Sequence, residues 1–143
     1  MAQNEKTDTI NLAESENLAR AITAVLIEKK ALEVKMYNVT GKSPICDFYI
    51  NATGRSSTQV HSLCDEVTYK IGEMGRQEGR IEGRGGDSWL LVDYGDVIVN
   101  VFDRQSREFY NLDHILPADS LVDISDIIEE IDKKYEINTI KED

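Results

Sequence analysis

The stretch that decides the fold reads Trp89-Leu-Leu-Val-Asp-Tyr-Gly-Asp-Val-Ile-Val-Asn-Val-Phe102. Its two apolar runs, 89–92 and 97–102, predict two strands joined by a turn at 93–96. The second run is apolar on both sets of alternating positions, with Asn100 as its one polar residue. A strand with two apolar faces is buried on both sides, so we predict that it lies in the centre of a sheet. We also predict that the Asn100 side chain is hydrogen-bonded, because a buried amide needs a partner.

The residues before these strands predict two helices and two further strands. Apolar residues at helical spacing mark a first helix from Asn11, its expected N-cap, to about residue 30. Alternation then predicts strands at 32–37 and 46–53. The sequence Ser56-x-x-Gln59 is a capping box, and the apolar stripe after it predicts a second helix. Helices and strands in this order indicate an α/β domain.

The remaining residues predict shorter elements and an acidic tail. Segment 76–87 holds four glycines among charged residues, which predicts a loop with a short strand at 79–82. A short helix is expected at 107–112, and Pro117 ends a domain that spans 1–117. Residues 118–143 form an acidic C-terminal extension with nine acids and three bases. Its isoleucines have helical spacing, so we predict an amphipathic helix that can dock against another surface.

Composition argues against several functional classes. The 143 residues carry a formal charge of −11, which disfavours general binding to nucleic acids or anionic membranes and favours approach to a basic protein. No apolar run is long enough for a membrane span or a signal-peptide core. Cys46 and Cys64 supply no disulfide framework. We therefore expect a soluble protein of the reducing cytoplasm that has no membrane partner.

Residues suited to catalysis or metal binding are few. The only histidines, His61 and His114, lie outside any nucleophile motif. Together with the two cysteines they lack the paired spacing of a zinc site. We expect neither a catalytic residue nor a bound metal.

Anion and two-metal sites are equally weak in the sequence. The turn at 54–57 precedes a helix and could hold an anion, but a simple helix cap accounts for it as well. Asp47 has no Asp-x-Asp partner for two-metal chemistry. Asp93 and Asp96 flank a turn, where aspartate is common. We therefore expect no cofactor and no enzyme activity.

Aromatic residues gather around the predicted strand pair. The single tryptophan, Trp89, lies near Tyr94, Phe109 and Tyr110, with charged residues between them. Aromatic rings most often complete a core, but Trp and Tyr are also preferred anchors of protein interfaces. For Trp89 and Tyr94 the sequence leaves both alternatives open.

Several motifs in order resemble one known family. They are Asp47-Phe-Tyr-Ile-Asn-Ala-Thr-Gly-Arg-Ser-Ser-Thr-Gln-Val60, Glu82-Gly83, the stretch 89–102, and Arg107-Glu-Phe-Tyr-Asn-Leu-Asp113. Over about residues 15–117, the set resembles the ribosomal silencing factor family, RsfS or Iojap. The resemblance implies an α/β fold in which helices flank a five-stranded mixed β-sheet. That fold is similar to nucleotidyltransferases without their catalytic carboxylates.

The resemblance also implies a function. Members of this family bind the large ribosomal subunit through ribosomal protein L-fourteen, block joining of the small subunit and repress translation when nutrients are short. The matching motifs place a partner-binding role on Trp89, Asp93, Tyr94 and Asp96. The resemblance further implies a homodimer.

The chain departs from the family pattern at three places, and two other functions stay open. One departure is that the tryptophan often found in the region of residues 113–117 is absent. Asn100 stands where many relatives have histidine, and the acidic extension after Pro117 lies outside the expected family core. One alternative is a nucleotidyltransferase-like enzyme that uses the turn at 54–57. The other is a scaffold protein that dimerises through the isoleucine-rich extension.

Overall fold

A computed structural model describes residues 10–83 and 86–142, with side chains as far as Glu136. Helices α1 to α5 span Ser15–Glu28, Ser57–Glu73, Arg104–Tyr110, Leu112–Ile115 and Ser125–Glu142. Strands β1 to β6 span Leu32–Asn38, Phe48–Gly54, Arg80–Gly83, Trp89–Asp93, Val97–Asp103 and Leu121–Val122. Within the described ranges, no helix combines the length and the apolar character needed to cross a membrane.

All six strands join one sheet in the order β3-β4-β5-β2-β1-β6. Strands β2 and β5 pair in parallel, and every other neighbouring pair is antiparallel. The predicted mixed sheet flanked by helices is confirmed, but the predicted number of five strands is wrong. The additional strand, β6, has two residues, which pair with Met36 and Tyr37 of β1. Two residues are too few to show the alternation by which a strand is recognised in a sequence.

Strand β5 is the buried centre of the sheet, as predicted. It pairs with β4 on one side and with β2 on the other, and each of residues 97–102 is at most 8% exposed. Its three valines face the main core, together with apolar residues of α1 and α2. Ile98, Asn100 and Phe102 alternate onto the second face of the sheet, against which α3 packs.

The acidic tail forms β6 and helix α5, which docks against α1. Ile127 and Ile131 are at most 7% exposed and join the main core. Asp126 forms an ion pair with Arg20 of α1. The predicted amphipathic helix is confirmed, since its isoleucines supply the contact with α1.

The two long N-terminal helices begin in different ways. Ser56 caps α2, as predicted, because its hydroxyl accepts a hydrogen bond from the Gln59 backbone N–H at 3.2 Å. The prediction that Asn11 caps α1 is wrong, since that helix begins at Ser15. The Asn11 side chain instead accepts from the Ala13 backbone N–H and closes a local turn. Asparagine satisfies a nearby backbone donor in both settings, so the sequence does not separate them.

Gly79 lies against the ring of Tyr94, and this close approach can be tested. A Cβ atom at residue 79 would be 2.5 Å from Tyr94 Cζ. We expect Gly79→Ala to lower the free energy of unfolding by about 1–3 kcal/mol, because a buried ring has to move. Gly72→Ala is the control, since its Cβ would meet only Gln77, at 3.8 Å. Urea unfolding measures both variants, and equal losses in the two would contradict the close approach.

Candidate partner-binding surface

The four residues for which the family resemblance implies partner binding lie at the β4–β5 hairpin but face different sides. Alternation along β4 places Trp89 and Asp93 on the second face of the sheet. Tyr94 belongs to the main core on the opposite face. Asp96 forms an ion pair with a neighbouring arginine. The structure therefore places Trp89 and Asp93 at opposite ends of β4 on the same face of the sheet, and it separates the other two residues from that face.

Tyr94 is a core residue. It is 5% exposed, and the guanidinium carbon of Arg76 lies 5.8 Å from the centre of its ring. Burial raises the pKa of the Tyr94 hydroxyl to about 12. Of the two alternatives that the sequence leaves open for Tyr94, core packing is the one observed.

Asp96 forms a bidentate ion pair with Arg76. The two Nη atoms of Arg76 lie 2.7 and 3.2 Å from the Asp96 carboxylate oxygens. The same guanidinium donates to the backbone carbonyls of Leu12 and Tyr94, at 2.8 and 3.0 Å. These bonds connect the hairpin turn to the segment before α1. The Arg76 side chain that makes them is only 16% exposed. Asp96 thus fixes the shape of the turn, and a basic residue in its place would face Arg76 directly.

Trp89 is held by a chain of buried amides on the second face. Its indole Nε1–H donates to Asn100 Oδ1 at 3.0 Å, and Asn100 Nδ2 donates to Asn51 Oδ1 at 3.2 Å. Asn51 Nδ2 donates in turn to Asp113 Oδ1 at 3.0 Å. Asn51 and Asn100 are at most 1% exposed. The predicted hydrogen bonding of Asn100 is therefore confirmed, and it fixes the orientation of the indole ring.

The amide chain ends at an ion pair between α3 and α4. Arg107 Nε lies 2.7 Å from Asp113 Oδ2, and Arg107 Nη1 donates to Thr53 Oγ1 at 2.9 Å. The Tyr37 hydroxyl donates to Asp113 Oδ1 at 2.7 Å. Burial alone would raise the pKa of Asp113, but hydrogen bonds from Arg107, Asn51 and Tyr37 outweigh it and lower that pKa to about 2. The carboxylate is therefore ionised and fully engaged near neutral pH.

Three aromatic rings, Trp89, Tyr110 and Phe109, form an aromatic ridge on this face. The ring centroids of Trp89 and Tyr110 are 4.5 Å apart, and those of Tyr110 and Phe109 are 5.0 Å apart in an edge-on arrangement. Trp89 also lies 5.0 Å from the buried ring of Phe102. Phe109 is 78% exposed and Tyr110 is 38% exposed. An exposed phenylalanine supported by other rings is typical of a contact anchor in a protein interface.

Sequence reasoning assigns no binding role to Phe109 or Tyr110. Both lie in α3, whose seven residues are too few to show which side of the helix faces water. For β4 a usable signal does exist. Alternation places residues 89, 91 and 93 on one face and 90, 92 and 94 on the other, which would have separated Trp89 from Tyr94.

The residues considered for catalysis or metal binding do not form a common site in the described part of the chain. His61 contacts Asp87 at 2.8 Å on the surface, whereas His114 lies in α4. Cys46 and Cys64 are buried free thiols, and burial raises their pKa values to about 11 and about 12. Among the described side chains of residues 10–83 and 86–136, no three of His, Cys, Asp or Glu are grouped to hold a metal ion.

The turn at 54–57 is occupied by its own hydrogen bonds. Besides the Ser56 cap, Gln59 Oε1 accepts from the Arg55 backbone N–H at 2.6 Å. The Arg55 guanidinium is directed away, to the backbone carbonyl of Lys30 at 2.8 Å. A helix cap accounts for the turn.

Comparisons with known proteins agree with the motifs and the fold. The family model described as "Ribosomal silencing factor during starvation", RsfS, matches residues 12–143. A ribosomal silencing factor RsfS from Halalkalibacterium halodurans is 34% identical over 117 residues, which cover 82% of this chain and 99% of the relative. One from Zymomonas mobilis is 35% identical over 100 residues, 70% of this chain and 75% of the relative. A crystal structure of a Chromobacterium violaceum protein has a TM-score of 0.64 at 28% identity, covering 71% of this chain and 85% of the other.

The fold and the surface define a mixed α/β domain that carries exposed aromatic side chains on one face of its sheet. The chain belongs to the ribosomal silencing factor family, RsfS. The family match continues through the acidic tail, so β6 and α5 lie inside the matched region.

Proposed function

We propose that this protein is a ribosomal silencing factor that binds the large ribosomal subunit through ribosomal protein L-fourteen. Membership of the RsfS family supports a role at the ribosome. The proposed mechanism is steric: a protein seated where the two subunits meet excludes the small subunit, and no covalent bond changes. The protein would act as a regulator in the cytoplasm, not as an enzyme, and repress translation when nutrients are short.

The aromatic ridge is the observation that supports this proposal best. It lies on the hairpin and helix that carry the family motifs, and Phe109 is the most exposed large hydrophobic residue described. Burying such a side chain stabilises a complex by about 1.5–3 kcal/mol before the costs of association. For Trp89, the hydrogen bond to Asn100 already fixes the orientation of the ring. Little conformational entropy is therefore lost when a partner orders that ring.

The charge of the chain suits a basic partner. The Asp93 side chain is 27% exposed at the hairpin end of β4, 3.9 Å from Arg80, and the whole chain carries a formal charge of −11. An acidic protein approaches a basic ribosomal protein faster than a neutral one does. Within the proposed site, Trp89 and Asp93 contact the partner, whereas Tyr94 and Asp96 hold the hairpin that presents them.

Truncation of the ridge tests the proposal. Phe109→Ala and Trp89→Ala should each weaken binding to isolated large subunits by at least about 2 kcal/mol, or roughly thirtyfold, because interface aromatics carry much of the binding energy. Co-sedimentation with purified large subunits on sucrose gradients measures the loss. Phe109→Ala is the cleaner variant, since its exposed ring contributes little to folding.

Tyr69→Ala is the matched control. Tyr69 is 60% exposed on α2, on the other side of the sheet, so its removal should leave binding unchanged. Thermal melts of all three variants separate lost binding from lost folding. If Phe109→Ala and Trp89→Ala both melt normally and still sediment with large subunits, the ridge is not the docking site.

The other functions remain distinguishable from this one. We propose that any likeness to nucleotidyltransferases concerns the sheet alone, since Asp96 and Asp113 are both engaged by arginines. Calorimetry with a nucleoside triphosphate and Mg²⁺ would detect the binding that an enzyme requires. The homodimer is part of the same proposal, and light scattering of the full chain measures it.

A further inference from the structure

The amide chain behind the aromatic ridge has a donor at one end and an acceptor at the other. The indole of Trp89 can only donate, through Nε1–H, whereas the ionised carboxylate of Asp113 can only accept. Asn100 and Asn51 lie between them, and each amide has one accepting oxygen and one donating nitrogen. All three hydrogen bonds therefore form together only when both amides are oriented in one direction.

The Asp113 carboxylate determines that direction. Its Oδ1 lies 3.0 Å from Asn51 Nδ2, and a rotated Asn51 amide would bring its own oxygen against this negatively charged oxygen. Asn51 Oδ1 is thereby left to accept from Asn100 Nδ2, at 3.2 Å. Asn100 Oδ1 is then left to accept from the Trp89 indole, at 3.0 Å. Both asparagines are at most 1% exposed, so bulk water has little access to replace a lost partner.

The same carboxylate also holds the helical part of the ridge. Arg107 Nε lies 2.7 Å from Asp113 Oδ2, and this ion pair joins α3 to α4. Helix α3 carries Phe109 and Tyr110. The ring centroids of Tyr110 and Trp89 are 4.5 Å apart, so a displaced indole would disturb the rings that support the exposed phenylalanine. Asp113 thus acts on both parts of the ridge.

We propose that Asp113 and Asn51 are positioning residues for partner binding, which hold the Trp89 indole in place through Asn100. Asn51 is fully buried, so it cannot touch a partner, and any effect of its replacement on binding has to pass through another residue. The inference rests on the proposed docking of the ridge on the large ribosomal subunit. It extends the binding site from the surface into the buried face of the sheet.

The single tryptophan gives this proposal a direct readout. The full chain labelled with ¹⁵N has one indole Nε1–H, and the exchange of its proton with solvent reports the hydrogen bond to Asn100. Asn51→Leu removes the link between Asn100 and Asp113. We expect the indole proton to exchange at least about tenfold faster in this variant, because the Asn100 amide is free to rotate. Binding to purified large subunits should weaken by at least about fivefold in co-sedimentation.

Asn51→Asp separates positioning from general stability. The new carboxyl group has the shape of the amide and still accepts from Asn100, so it imposes the same direction on the amide chain. It also places a second acid against Asp113, which disfavours the folded state. We expect a lowered thermal midpoint, but indole exchange and binding within about twofold of the parent.

Tyr37→Phe is the matched control. The Tyr37 hydroxyl donates to the same Oδ1 atom of Asp113, at 2.7 Å, but it is not part of the amide chain. Its removal should lower the thermal midpoint and leave both indole exchange and binding within about twofold of the parent. If Asn51→Leu does not fold, the smaller replacement Asn51→Ala takes its place in the same measurements, with the same expected results.

Three results would overturn the proposal. The first is an indole proton that exchanges at the parent rate in folded Asn51→Leu. The second is an equal loss of binding in Asn51→Leu and Tyr37→Phe, which would reduce the effect to stability. The third is a loss of binding in Asn51→Asp that follows its lowered thermal midpoint.

A failure of the proposed docking site gives a different pattern. If Trp89→Ala and Phe109→Ala still bind large subunits like the parent, the ridge is not the docking site, and the positioning role ends with it. If those two variants lose binding, while Asn51→Leu exchanges faster but binds like the parent, the docking site stands and only the positioning role is wrong.

Discussion

Replacing Arg107 with leucine is expected to lower the free energy of unfolding by about 3–5 kcal/mol, because the Asp113 carboxylate loses its ion-pair partner in a largely buried place. The Arg107 and Asp113 side chains are 9% and 21% exposed. With the arginine gone, Tyr37 and Asn51 still donate to this carboxylate, but its charge is no longer balanced. Urea unfolding monitored by Trp89 fluorescence measures the loss, since the amide chain links the indole to this pair.

Two further variants separate the ion pair from a general effect of charge. Arg104→Leu removes an exposed arginine from the same helix and should change stability by no more than about 0.5 kcal/mol. The double variant Arg107→Leu with Asp113→Leu removes both charges and should recover part of the stability. If Arg107→Leu and Arg104→Leu were equally mild, the ion pair would have no structural importance.

The second large effect is expected when the chain is cut after Pro117. Ile127 and Ile131 would no longer cover α1, and the loss of two buried isoleucines alone is worth about 3–6 kcal/mol. We therefore expect a strongly lowered thermal midpoint, measured by circular dichroism. A marginal protein loses its folded state altogether after a change of this size.

A charge-only control shows whether packing or acidity is responsible. Glu129→Gln with Glu130→Gln keeps α5 docked but removes two exposed acids, so it should melt like the full chain. If the shortened chain melted normally, residues 118–143 would be a separable extension of a domain at 1–117. Light scattering of the shortened chain also tests dimerisation through the tail.

Local signals in the sequence predict most of the architecture. The two apolar faces of residues 97–102 place β5 in the centre of the sheet, and Ser56 marks the start of α2. Each of these signals lies within one element and depends on a single period or cap. Strand β6 has no such signal, because Leu121 and Val122 form a strand only through their pairing with β1.

The site is predicted less well, because its residues act through distant partners. Asp96 looks like a free turn residue in the sequence, yet its carboxylate is paired with Arg76, twenty positions earlier. The exposure of Phe109 depends on how a short helix sits on the sheet. No hydrophobic pattern within one helix or strand predicts the pairing of Asp96 or the exposure of Phe109, since both depend on which segments meet in the folded chain.

The contact between α1 and α5 also bears on how the protein is made. Arg20 pairs with Asp126, so two helices near opposite ends of the described chain are in contact with each other. At roughly 5–20 residues per second, the ribosome needs on the order of 5–20 seconds to synthesise the residues between them. During that interval the side of α1 that Ile127 and Ile131 later cover faces water on a nascent polypeptide. The last step of folding therefore waits for the last elements to be translated, and until then α1 presents an apolar surface that chaperones can recognise.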